Sequence, residues 1–115
     1  SPKKRIENWA ENMMEKLIEY PGIIFLMVTK LISDGNQKAG IADLIDNSEY
    51  NLTPIIKEIT GITDDLAVSI KAMQLFSGVI TPVLFYHGAG RTFKVDIRNS
   101  EDRLKYIRSL VESIL

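Results

Sequence analysis

Few residues in this chain have side chains that could do chemistry. There is one histidine, His87, and no cysteine. That removes disulfides, thiolate metal sites and a cysteine nucleophile, and a single imidazole makes a poor transition-metal site. SDGNQKAGIAD, residues 33–43, lacks the ligand spacing of a calcium loop. His87 is expected at the end of a helix, where a cation suits the negative helix terminus. HGAGR, residues 87–91, contains Gly-x-Gly, but a phosphate loop follows a strand and opens a helix. This one follows a helical pattern and reads as a helix stop. NLTP, residues 51–54, matches the glycosylation triplet, yet no secretory signal is visible. Arg91, Lys94 and Arg98 form a small basic group, diluted by Asp96 and too sparse for nucleic acid. No Ser–His–carboxylate order or paired-acid motif points to an enzyme. What remains are large, adaptable side chains: Trp9, Met13, Met14, Phe25, Met27, Met73 and Phe76. They suit a pocket for apolar ligands or an ordinary core.

The elements that position these residues belong to one domain, residues 1–115. A chain of 13.0 kDa buries about two-thirds of its unfolded surface, enough for a core. Hydrophobic residues make up 45% and charged residues 25%, the proportions of an ordinary globular domain. The net charge of -1 gives no general pull toward nucleic acid or anionic lipid. The longest uncharged stretch, Ala72 to Tyr86, is fifteen residues, short of the about 18–20 a membrane span needs. A cytoplasmic protein without membrane, metal or cofactor is expected.

Nearly the whole chain reads helical. Ser1-Pro2 is a cap followed by a first-turn proline. Ile6, Trp9, Ala10, Met13, Leu17 and Tyr20 then recur at helical steps until Pro21. Pro21 opens a second helix with six consecutive apolar residues, Ile23 to Val28, expected in the interior. IADLID, residues 41–46, reads as a short helix on Ile41, Leu44 and Ile45. Thr53-Pro54 starts another, with Ile55, Ile56 and Ile59, ending at Gly61. PIIKEITGI could also be a strand, but nothing pairs with it convincingly. Thr63 is expected to cap a long helix ending near Tyr86, with Asp64 and Asp65 in its first turn. RTFKVDIRN, residues 91–99, reads as an ordered loop. Asn99 caps the last helix, with Asp102 as capping-box partner and a stripe of Leu104, Ile107, Val111 and Ile114.

The long helix has two apolar faces. At about 100° per residue, Leu66, Ile70, Met73, Ser77, Ile80 and Leu84 form one stripe. Val68, Ala72, Leu75, Val79 and Val83 form a second, with Phe76 and Ser69 between them. Together they exceed the ~100° that one core requires. One stripe can bury against its own domain; the other needs a further layer or a second chain. Pro82 lacks the amide that would bond the Gly78 carbonyl, so a kink is expected there. The fold class is therefore all-α: a bundle of about five to six helices, in which the long kinked helix and the terminal helix form a dimerisation hairpin.

The pattern resembles the C-terminal ligand-binding and dimerisation domain of TetR/AcrR-type transcriptional regulators. WAENMMEKLIEYPGIIFLM is similar to that domain's opening helix and its Tyr-Pro break. GITDDLAVSIKAMQLFSGVITPVLFY resembles the long dimerisation helix, and NSEDRLKYIRSLVESIL the terminal one. The likeness covers essentially the whole chain and rests on element order and patterning. It implies a homodimer and a small hydrophobic effector among the first, second and long helices. Trp9, Met13, Phe25, Met73, Phe76 and Ile80 are the expected ligand contacts. Val68, Leu75, Val79 and Val83, with Ile107 and Val111, are the expected dimer interface. The family's N-terminal helix-turn-helix domain has no counterpart here, so DNA would be reached only through that missing part. The alternative is a free-standing helical interaction module without ligand or DNA.

Overall fold

The computed structural model describes residues 1–26, 29, 52–87 and 93–115. The regular elements among them are all α-helices. We number them α1 (Pro2–Glu19), α2 (residues 22–26 and 29), α3 (Thr53–Thr60), α4 (Asp65–His87) and α5 (Ser100–Ile114). The expected helix at 41–46, the turn SDGNQKAG, Met27, Asn51 of the glycosylation triplet, the glycines of HGAG and Arg91 lie outside the described residues.

Local chemistry explains most boundaries. Ser1 Oγ accepts from the Lys4 amide at 3.2 Å and Pro2 sits in the first turn of α1. α1 stops at Tyr20, whose amide still reaches the Lys16 carbonyl. α3, the segment with a competing strand reading, is helical and ends at Gly61, whose φ of 71° suits glycine. One expected cap and one expected capping-box partner differ. At α4 the cap is Asp64, whose Oδ2 accepts from the Ala67 amide at 3.0 Å, and not Thr63. A carboxylate bonding directly to a first-turn amide is a stronger cap than a neutral hydroxyl. At α5 Asn99 Oδ1 accepts from the Asp102 amide at 3.0 Å as expected. The Asp102 carboxylate, however, turns to the Asp96 amide at 3.2 Å, fixing the preceding loop. The last turn of α3 and the first turn of α4 are tied by Lys57 and Asp65 at 2.8 Å, which holds the exposed Asp65 carboxyl below its usual pKa.

α1 packs on both α4 and α5, and α3 packs on α1 and α4. Ile6, Met14, Ile56, Leu75 and Ile107 are the bulkiest side chains at the centre. Each contributes about 1.5–3 kcal/mol by leaving water. α4 and α5 run antiparallel: Lys71 meets the Ile114 carbonyl at one end, and Arg98 stacks on Tyr86 at the other. Among the described residues one charged side chain enters the core. Arg103 of α5 is 8% exposed and donates to the Ile97 carbonyl, Glu11 and Glu15 at 2.9, 3.3 and 3.1 Å. Glu11 and Glu15 are one helical turn apart on α1, so one guanidinium ties the first helix to the last.

The start of α2 departs from expectation. Among the described residues of its apolar run, 23–26, only Ile24 is buried, while Phe25 is 73% and Leu26 59% exposed. A helix apolar all round still has only the side facing α1 and its neighbours available for burial.

Candidate functional site

α4 carries both candidate functional surfaces, and its sequence explains how. Val68, Leu75, Val79 and Val83 point inward and are at most 1% exposed. On the opposite face Leu66, Ile70, Met73 and Leu84 are 70, 49, 72 and 45% exposed. This outer stripe, with Ser77 and Thr81 also exposed, has no charge from Leu66 to Leu84, about 27 Å of helix. Apolar surface of this extent on one helix face marks an interaction site more often than chance. By length and composition Asp65–Tyr86, 22 residues, is also long and apolar enough to cross a membrane. The helix is longer than the fifteen-residue uncharged run because it also takes in Asp65 and Lys71.

α5 is held to the middle of α4 by a compact junction. The α-helix runs on through Pro82, which has no amide to offer the Gly78 carbonyl. Tyr106 Oη donates to that carbonyl at 2.6 Å instead. Burial pushes the Tyr106 phenol above its usual pKa, keeping the proton it donates. Gly78 also lets the backbones approach, since a Cβ there would lie 2.5 Å from Leu110 Cδ1.

Beside this junction is an open cleft of about 590 Å³ between the C-terminal part of α4, residues 93–98 and Tyr106. Phe85 and Phe93 meet edge-on there at 5.0 Å. Arg98 lies over the Tyr86 ring at 4.8 Å, while its backbone amide and Nε reach Asp96 Oδ1 at 3.0 and 3.5 Å. Residues 93–99 form bends and turns, in keeping with the expected ordered loop.

The six expected ligand contacts do not converge. Trp9 and Phe76 are partly buried neighbours, with ring centroids 6.4 Å apart. Met13 is a core residue at 7% exposure and Ile80 is partly buried. Met73 and Phe25 face outward. Met73 belongs to the outer stripe of α4 because it lies about 140° around the helix from Val68 and about 160° from Leu75. Neither does the large cleft draw on any of the six. Trp9 alone among them lines a second, smaller cleft of about 290 Å³ with Arg5, Leu52, Pro54 and Glu58. Its Nε1 is buried there without a hydrogen bond among the described residues.

The expected dimer interface is corrected as a set. Val68, Leu75, Val79, Val83, Ile107 and Val111 are all within the chain's own core. They are covered by the chain's own helices and one another, at no more than 1% exposure. The stripe open to a partner is the one formed by Leu66, Ile70, Met73 and Leu84. The outward positions of α5, such as Lys105, Arg108, Ser109 and Glu112, are polar, so α5 adds no apolar surface to it. Arg103, Tyr106 and the cleft residues were not singled out as functional from sequence. Tyr106 had a legible signal, since the proline at 82 predicts an orphan carbonyl at 78 that some donor must serve. His87 ends α4 as expected.

Comparison with known proteins gave no matching family, no similar curated protein and no similar solved structure.

Proposed function

We propose that this chain is a sensing and dimerising domain of the TetR/AcrR regulator type, pairing through the outer stripe of α4 and holding a small apolar effector. The stripe carries the reading: an uncharged row of exposed Leu66, Ile70, Met73 and Leu84, backed by the buried row of Val68, Leu75, Val79 and Val83. Element order supports it as well, with a long penultimate helix antiparallel to a capped terminal helix. The effector would shift the pair between two arrangements, which requires it to bind one of them better. DNA contact would belong to a separate helix-turn-helix part, whose spacing the pair would set.

A second copy fits the stripe in area and in charge. The exposed fractions amount to about two fully exposed apolar side chains per copy, so covering both copies gains about 7–14 kcal/mol. Association costs about 4–15 kcal/mol, so the pair is concentration-dependent. Asp64 and Asp65 make the start of α4 acidic, and Lys94 and Arg98 lie by its end. An antiparallel pairing of two α4 helices puts each acidic end beside a basic one.

Sedimentation from micromolar to near-millimolar concentration tests this. A monomer–dimer equilibrium is expected, shifted to monomer by Met73→Asp with helical content unchanged. A wild-type chain that stays monomeric refutes the pairing, as does an unaffected Met73→Asp. Partition into lipid vesicles in place of self-association would assign the stripe to a bilayer. The scatter of the six expected ligand contacts favours one alternative, a helical dimerisation module without effector.

A further inference from the structure

We propose that the cleft between the end of α4, residues 93–98 and Tyr106 is a binding site for an amphipathic organic acid, an apolar body ending in a carboxylate. The inference gives the sensing role proposed above a location and a ligand class, and rests on that role for its biological use. The binding itself does not depend on pairing.

The cleft has the volume of a small-molecule site, about 590 Å³. Its walls come from three separate parts of the chain. Its apolar side is unusually open: Phe93, Val95 and Phe85 are 61, 50 and 37% exposed, and all three line this one space. The edge-on contact of Phe85 with Phe93 gives the apolar wall a defined shape.

The polar side is cationic. Among the described residues Lys94 and Arg98 both line the cleft, against one carboxylate, Asp96. That carboxylate is already engaged. Its Oδ1 accepts from the Arg98 amide and Nε, and so serves to fix the turn. The terminal amino groups of Arg98 make no hydrogen bond to a described residue, while stacking on Tyr86 holds the guanidinium at the rim. A planar fork held in this way is suited to a carboxylate. Tyr106 keeps its proton on the Gly78 carbonyl, so the site offers a ligand no neutral hydroxyl donor from that side. A ligand here touches Pro82 and Tyr106, which both belong to the junction of α4 with α5, and lies within a turn of Leu84 on the outer stripe.

Decanoate, decanol and decylammonium share one chain length and differ in head group, and each is titrated by calorimetry below its aggregation concentration. Decanoate should saturate at one per chain and bind at least about tenfold more tightly than decanol, the span of a charge-assisted hydrogen bond. Decylammonium should bind no better than decanol. Arg98→Gln should remove most of the decanoate preference, and Phe93→Ala should weaken decanoate and decanol alike. Backbone amide shifts should centre on residues 81–86 and 93–98. Lys94→Gln is the second charge variant if Arg98→Gln loses helical content. Equal affinity for the three probes overturns the proposal, as does decanoate binding unaltered by both charge variants, or no saturable binding. Sedimentation of the same samples separates the two readings: pairing without decanoate binding removes only this site, and binding without pairing removes only the dimer.

Discussion

Replacing Tyr106 by Phe removes a single oxygen and keeps the ring, and its effect should depend on a proline on another helix. The Gly78 carbonyl has lost its helical donor to Pro82, and Tyr106 Oη supplies the substitute at 2.6 Å. A buried acceptor left unpaired costs about 1–3 kcal/mol. Gly78 and Tyr106 are both half-buried, so water recovers part of this, and a loss of about 1–2 kcal/mol is expected. At roughly 4–8 °C per kcal/mol for a domain near this size, Tm should fall by at least about 4 °C. Pro82→Ala restores an amide four residues after Gly78. In that background Tyr106→Phe should cost under about 0.5 kcal/mol, because the carbonyl keeps a donor either way. Urea unfolding of wild type, both single variants and the double variant, followed by circular dichroism, closes the cycle. A coupling energy of about 1 kcal/mol is expected. Equal losses in the two backgrounds would refute the idea that the tyrosine stands in for the missing amide.

Three further outcomes follow from the same packing. Val79→Asp, unlike Met73→Asp, puts a charge at a position 0% exposed, and should abolish folding where Met73→Asp affects only pairing; circular dichroism distinguishes them. Gly78→Ala gains up to about 1 kcal/mol of helix propensity but drives a methyl into Leu110, for a net loss of about 1 kcal/mol. Leu110→Ala should relieve that loss in urea unfolding. Because burial raises the Tyr106 pKa above the ordinary 10.0, its stabilising contribution is complete below that pH. It is lost as pH rises through the folded-state value, since the unfolded chain releases the proton first. Alkaline unfolding curves should show this decline in wild type and a smaller one in Tyr106→Phe.

Much of the frame was legible because it rests on local rules. Ser1-Pro2, Gly61 and Asn99 mark helix ends through their own backbone preferences or side-chain oxygens, whatever surrounds them. The errors at Thr63 and Asp102 were choices between adjacent polar groups that each had a local use. The candidate site was less legible. Trp9 and Phe76 came together, but Met73 and Phe25 turned outward, because helix order places segments near one another without fixing their rotation. Arg103 could not be matched to Glu11 and Glu15, which lie 92 and 88 residues away.

The sequence by itself determined that this chain is helical and that α4 has more apolar circumference than one core uses. Hydrophobic periodicity and the capping residues are properties of the chain alone. Only the tertiary structure decided which stripe turns inward, because both are apolar and periodicity has no sign. Val68, Leu75, Val79 and Val83 are compact enough to sit against α1 and α3, and Gly78 and Pro82 fix α5 to the side. Leu66, Ile70, Met73 and Leu84 are left facing out, and the loop before α5 is closed against the end of α4 to form the cleft.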